Sequence, residues 1–340
     1  MKRIVCPLLM VAILCLTACN AQTSDTAASE NSGDSETSVS DVTEATEQAA
    51  AVPAPKMIQG RPESNVTNLI PVNTYKLNSS HEVNGRQGIA YEEGYYYVSG
   101  STTLARYDSE WNRVLSVESP FDSFPNEVNH IGDIDVYDGE IFTGVEYFMD
   151  GEAKNIQIAV YDTESLRLIR TYPVAQISGQ TEVSGIAVDP DNNCIWMCSW
   201  ADDESGRYLY AYSLVTGEFL RKVQLTSSPR WIQGISYYEG NIYITSDDGD
   251  ADLSEADHVY RCKVDPKATS FNVVLERTLD DVTLPGEIEG ISFDGGNKQM
   301  LICYNRGAHI ILGMPKGFYE GYDSEIHEVF VYDMEKVMEG

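Results

Sequence analysis

Basic residues are scarce in this chain of 340 residues: 23 Lys and Arg stand against 53 Asp and Glu, a formal net charge of -30. So acidic a surface excludes nucleic acid as a partner and leaves only an anchored route to a membrane. Cysteine is scarce where a fold would use it. Of the seven, Cys6, Cys15 and Cys19 fall at the extreme N-terminus, which leaves Cys194, Cys198, Cys262 and Cys303 with no C-x-x-C pair to seat zinc. Cys194 and Cys198 lie in one predicted strand, roughly 13 Å apart at strand rise and too far to bridge. All four are expected as buried free thiols. No segment holds a sustained helical periodicity, and the one apolar run near the N-terminus is too short to span a bilayer. The Gly-x-Ser-x-Gly, His-Glu-x-x-His and phosphate-loop motifs are missing as well.

At the N-terminus, Lys2 and Arg3 precede an apolar run over 4–16, which gives way to Leu16-Thr17-Ala18-Cys19. Charge, a short hydrophobic core and small residues are the parts of an export signal. The cysteine directly after small residues resembles the bacterial lipoprotein signal. That resemblance implies removal of 1–18, lipidation of Cys19 as the first mature residue, and a cell-membrane location facing the extracellular or periplasmic side. Two acyl chains on one cysteine suffice for stable anchoring. From 20 to 55 the chain is Ser, Thr, Ala, Glu and Asp, with seven acids and no basic or aromatic residue. It buries too little apolar surface to fold and its like charges extend it, so 19–55 is expected as a lipidated cysteine and disordered acidic tether. The remainder, 56–340, is the folded domain. Removing the two basic residues of the leader and the seven acids of the tether leaves 21 basic and 46 acidic residues there, a net -25.

One short pattern recurs through this domain: Gln87-Gly88-Ile89-Ala90, Gly132-Asp133-Ile134-Asp135, Ser184-Gly185-Ile186-Ala187, Gln233-Gly234-Ile235-Ser236 and Glu289-Gly290-Ile291-Ser292. Steps of 45, 52, 49 and 56 residues separate Gly88, Asp133, Gly185, Gly234 and Gly290. Strand-like sequence repeating at that period predicts an all-β, five-bladed β-propeller, with six blades as the alternative. In the third unit, strands are expected at 185–188, 194–199, 207–212 and 219–225, separated by turn residues. The fifth unit runs out of chain after 328–332. Residues 69–77, apolar and without a partner, are expected to supply its outer strand and close the ring.

In such a ring the loops entering the inner strands converge, which nominates Arg86, Gln87, Glu182, Ser184, Trp231, Gln233 and Arg306 as ligand-binding residues. His130, Glu287 and Glu289 are the candidate acid, base or cation-binding groups. Alternating carboxylates at Asp248, Asp250 and Asp252, with Glu289, make a candidate calcium site, although Leu253 and Val259 stand where an EF-hand needs glycine and glutamate. The segment 305–327 is expected as a long irregular loop that forms a lid or one wall of the pocket, with Arg306 pairing Glu289 or an anionic group.

Glu182-Val183-Ser184-Gly185-Ile186 and Glu287-Ile288-Glu289-Gly290-Ile291 resemble the strand entrances of SdiA-regulated and phytase-esterase-like propellers, and the second is similar to the Glu-Gly opening of the gluconolactonase group. The resemblance implies a calcium at the channel mouth in that wider group, lactone or phosphoester hydrolysis in some members, and a match of Glu289 to the gluconolactonase-like glutamate. Two functions stand open: a monomeric binding module for an extracellular small molecule or protein, and a calcium-dependent hydrolase at the same face.

Overall fold

The computed structural model describes residues 75–334. The leader, Cys19, the tether and 56–74 lie outside the described residues, as do 335–340. Among the described residues every regular element longer than one turn is a β-strand.

Strand β1 (Lys76–Glu82) is followed by four antiparallel units in chain order. The first holds β2 (Gly88–Glu92), β3 (Tyr95–Gly100), β4 (Thr103–Tyr107) and β5 (Arg113–Glu118), and the second β6 (His130–Tyr137), β7 (Glu140–Met149), β8 (Glu152–Asp162) and β9 (Leu168–Pro173). The third holds β10 (Ile186–Asp189), β11 (Cys194–Met197), β12 (Tyr208–Ser213) and β13 (Phe219–Thr226); the fourth holds β14 (Ile232–Tyr238), β15 (Asn241–Ser246), β16 (His258–Lys263) and β17 (Ser270–Thr278). Three parallel pairs between β13 and β17 join these two into one eight-stranded sheet. The last unit comprises β18 (Gly286–Asp294), β19 (Gln299–Arg306) and, after the hairpin β20 (Ala308–Ile311) and β21 (Met314–Phe318), β22 (Ile326–Asp333).

β1 completes this last sheet by pairing antiparallel with β22, from Lys76 opposite Asp333 to Glu82 opposite Glu328. An N-terminal strand does close the sheet, but it begins later than the expected 69–77. Its alternating half-buried and exposed residues are what an outer strand with one solvated face requires. The predicted strands of the third unit agree with those observed to within a few residues at each end.

The repeated glycine has a steric cause. A Cβ on Gly88 would lie 2.7 Å from the Ile134 nitrogen, one on Gly185 2.9 Å from the Ile235 nitrogen, and one on Gly234 2.6 Å from the Gly290 Cα. One on Gly290 would lie 2.6 Å from the Gly88 Cα, so the contacts return to the first unit. Five apolar layers fill the spaces between neighbouring units, including Trp196 with Phe271 between the third and fourth, and Ile89 with Leu301 between the first and last. The inner strands therefore surround a common centre in a propeller-like arrangement. Only the second unit breaks the glycine pattern, and its Asp133 carboxylate occupies that centre, accepting from the Ile134 nitrogen at 2.8 Å and from the Ile235 nitrogen at 3.1 Å.

All four cysteines are free and buried, as expected. The segment 305–327 departs from expectation. Its middle is not irregular: β20 and β21 form a hairpin whose two turn residues, Leu312 and Gly313, both have positive φ (52° and 72°). That is the type I′ turn whose twist suits two antiparallel strands.

Candidate functional site

Strand pairing carries the ends of the inner strands to one face, where a cavity of about 40 Å³ opens. Arg86, Gln87, His130, Glu182, Ser184, Gln233, Glu287 and Glu289 line it, so every one of the five units contributes a side chain named from the sequence. Phe148, Trp200, Ile310 and Gly313 complete the wall. The hairpin supplies the last two, and Gly313 lies against the Phe148 ring. The hairpin thus forms part of the cavity wall.

Within the cavity the polar groups form short chains. Gln87 donates from its amide nitrogen to Glu289 at 3.3 Å and accepts at its carbonyl from His130 Nε2 at 2.8 Å. With Nε2 as donor, the other ring nitrogen carries the lone pair and faces Glu146 Oε1 at 3.5 Å. Burial, and then the nearby Arg86 guanidinium, hold the His130 imidazole down at about 4, so it is neutral at physiological pH. Gln233 donates to Glu287 at 3.1 Å, and Ser184 donates to the Ile232 carbonyl at 2.7 Å. Glu182 accepts from the Trp200 backbone nitrogen, and Glu146 accepts from Val183 at 2.9 Å. Burial raises the pKa of Glu146, Glu182, Glu287 and Glu289 above the carboxylate range, and for Glu182 and Glu289 a neighbouring glutamate adds to the effect. Glu287, pushed up to about 7, and Glu146, pushed up to about 8, can give or take a proton near neutral pH, and with the neutral imidazole they offer both hydrogen-bond donors and acceptors.

Two of the nominated ligand-binding residues lie elsewhere. Arg306 does not reach Glu289; it pairs with Glu328 on the adjacent strand, at 2.9 Å from Nε, because both sit on the face shared by β19 and β22. Arg86 is the guanidinium at the mouth, 3.5 Å from Glu325. Trp231 lines a second cavity of about 150 Å³, which adjoins the first through Glu287 and Ile310.

The acidic segment is braced from within. Asp248 bonds His258 at 2.8 Å and also Tyr260. Asp250 caps a one-turn 3-10 helix by accepting from the Asp252 and Leu253 nitrogens, while Asp252 itself is exposed. Of these three aspartates only Asp250 lines either of these two cavities, the second one, and none lines the cavity that Glu289 lines. Among the described residues no group of three or more His, Cys, Asp or Glu converges as a metal ion would require.

Phe148, Ile310 and Gly313 were not legible as site residues. Leu312-Gly313 between apolar residues was the available signal for a hairpin, whereas nothing local marks Phe148.

No protein-family model matches the chain, and no curated protein does. Among solved structures it is similar to a gluconolactonase from Xanthomonas campestris, with TM-score 0.41 and 12% identity over 70% of this chain and 68% of that one. It is similar also to the hydrazine synthase of Kuenenia stuttgartiensis, with TM-score 0.40 and 11% identity over 73% of this chain and 62% of that one, less than two thirds of its length. Likeness at this level assigns no activity to the chain.

Proposed function

We propose that this protein is a lipid-anchored cell-surface lipoprotein whose five-bladed β-propeller binds a small polar ligand at the mouth of its central channel. One observation carries the reading: residues far apart in sequence, from Arg86 to Glu289, meet around one cavity. Five sheet units, five intervening apolar layers and a closing N-terminal strand support the blade count. The anchor rests on the sequence around Cys19.

Melting the purified protein against a panel of small polar metabolites tests the binding reading. A ligand at about a hundred times its Kd stabilises the folded form by about 2.7 kcal/mol. The stabilisation is expected to vanish in Gln233→Leu and Glu289→Leu and to persist in Arg306→Ala. If the panel yields only ligands indifferent to both mouth substitutions, the reading fails. Incorporation of labelled fatty acid, lost in Cys19→Ser, tests the anchor.

A calcium-dependent hydrolase acting at the same face is the second reading, favoured by His130 beside Glu146 and by Glu182, Glu287 and Glu289 around one cavity. As arranged, these carboxyls do not present the six to eight converging oxygens that calcium takes. No step is therefore assigned to the metal. A melting temperature indifferent to added calcium and to chelator removes this reading.

A further inference from the structure

Behind the mouth lies a buried acid that lines neither of the two cavities. Glu146 on β7 is fully buried; one carboxyl oxygen accepts from the Val183 nitrogen at 2.9 Å, and the other, Oε1, has no hydrogen-bond partner. Strand register places it. Glu146 stands directly opposite His130 in the pairing of β6 with β7, and the pairing of β7 with β8 breaks at this residue, between Val145 and Tyr147. Cross-strand partners share a face, and a bulge turns one side chain out of the regular alternation. Oε1 is thereby brought to 3.5 Å from His130 Nδ1, a ring nitrogen that is buried and without a hydrogen-bond partner too. No water fits between atoms so close. Two orphaned polar atoms face each other, and a single proton between them satisfies both.

We infer that Glu146 is a positioning residue: it carries that proton and donates it to His130 Nδ1, which fixes the ring as the Nε2–H tautomer and sets the direction of the hydrogen bonds that reach Glu289. The rest of the chain runs the same way. Nε2 donates to the Gln87 carbonyl at 2.8 Å, and the Gln87 amide nitrogen donates to Glu289 at 3.3 Å. The Gln87 backbone is held at both polar groups, its nitrogen donating to the Ser99 carbonyl at 2.8 Å and its carbonyl accepting from the Gly290 nitrogen at 3.0 Å, so only its side chain is left to turn. Ionising Glu146 reverses the chain. The carboxylate then requires a proton on Nδ1, a charge-assisted bond; Nε2 becomes an acceptor, and Gln87 turns its amide nitrogen to His130 and its carbonyl to Glu289, whose hold on a proton burial strengthens. One proton passes from Glu146 to Nδ1 and one leaves Nε2 for solvent, so the ring stays neutral. Arg86 opposes a positive charge on that ring, Glu182 is the carboxyl that an ionised Glu146 repels, and the Phe148 ring packs on His130 with centroids 5.5 Å apart.

The consequence for a ligand rests on binding at the mouth, but the tautomer is read with no ligand present, so the two fail separately. Histidine-labelled protein is followed by two-bond proton–nitrogen imidazole spectra from about pH 6.5 to about pH 9.5, with the His130 signals assigned by their loss in His130→Gln. At the lower end the Nε2–H tautomer is expected in excess by about tenfold, the contribution of one buried hydrogen bond. It is expected to give way to Nδ1–H as pH rises through about 8, the value to which burial pushes the Glu146 carboxyl. Glu146→Gln supplies an oxygen for the Val183 nitrogen and an N–H for Nδ1 without ionising, and is expected to hold the Nε2–H tautomer throughout. An Nδ1–H ring at the lower end, a tautomer in the parent that ignores pH, or the same change in Glu146→Gln overturns the inference. If Glu146→Gln does not fold, the profile of the parent decides alone. A metabolite that stabilises the parent but not Gln233→Leu, alongside a tautomer that fails these tests, sinks the inference and leaves the binding reading standing. The expected tautomer profile, with no metabolite sensitive to the mouth substitutions, does the reverse.

Discussion

The two ends of the same inner strands treat buried acids in opposite ways. At the far ends of β10 and β18, Asp189 and Asp294 are fully buried and fully occupied. Asp189 accepts from the Asn192 nitrogen at 3.0 Å, the Asn192 amide at 2.8 Å and the Trp196 indole at 3.0 Å. Asp294 accepts from the Asn297 nitrogen and amide at 3.0 and 2.7 Å. At the entrance ends, Glu289 takes one long bond from Gln87, while Glu287 takes one from Gln233 and shares another with a second acid, Asp247. The contrast separates acids that hold the fold together from acids kept short of donors, and the second group surrounds the cavity. Burial without compensation is costly, so a fold retains it where something else uses the charge.

The largest break in that comparison is expected at the satisfied end. Asp189→Ala strands the Trp196 indole N–H in the interior and takes the partner from a half-buried Asn192 amide, and chemical denaturation is expected to show a loss of about 3 kcal/mol. A stability within about 0.5 kcal/mol of the parent would mean that the two ends do not differ as argued. Next in size is the centre between them. Gly290→Ala places a methyl against the Gly88 backbone and the Asp133 carboxylate, with an expected loss of about 2 kcal/mol from overpacking. The same substitution at Gly94, where nothing lies within 4 Å, meets no such contact; its cost is that of a left-handed backbone (φ 86°) alone.

At the starved end the sign reverses. Glu287→Gln combined with Glu289→Gln removes the cost of either protonating or burying the charge of two neighbouring acids, and at pH 7.5 the double variant is expected to be more stable than the parent by about 1 kcal/mol. The pH dependence follows from the directions of the shifts. Burial raises both folded pKa values above those of the unfolded chain, so their contribution is full below the ordinary carboxylate range and is lost as pH rises through the folded values. His130 runs the other way: its folded pKa of about 4 lies below its unfolded value of about 6.5, so its contribution is full above pH 6.5 and is lost as pH falls toward 4. Above pH 6.5 the carboxyls therefore act without opposition from His130. Melting temperatures from pH 6.5 to 8 should fall more steeply for the parent than for the double variant. Parallel curves would show that the two glutamates ionise at the mouth without penalty.

Much of this arrangement was legible beforehand because it repeats. The Gly-Ile signature marks close backbone contact at the centre, and five occurrences placed Gln87, Ser184, Gln233 and Glu289 at equivalent positions on one face. Asp133, the single exception to the glycine, was read only as one more member of the repeat, and its role emerged only when its carboxylate met backbone amides from the second and fourth units. Phe148 and Ile310 carry no such mark, since each reaches the cavity from a hairpin that extends beyond the repeat. Arg306 misled for a related reason. Its position near the end of β19 suggested the mouth, yet pairing with Glu328 depends on the register between β19 and β22, which no local pattern encodes.

The smallest expected effect sharpens the contrast between the two arginines. Arg306 and Glu328 remain partly solvated, with side-chain exposures of 22% and 13%, and a pair of this kind contributes less than about 1 kcal/mol. Arg306→Ala should therefore move the melting temperature little and leave any ligand affinity at the mouth unchanged. Arg86 faces the buried glutamates and lowers the pKa of Glu287 and Glu289 against the effect of burial. Removing it leaves those carboxyls more strongly protonated, so Arg86→Ala should steepen the fall of stability with rising pH where Arg306→Ala does not. If the two alanine variants give the same pH profile, Arg86 does not supply the counter-charge of the mouth, and the division between structural and starved acids loses its electrostatic basis.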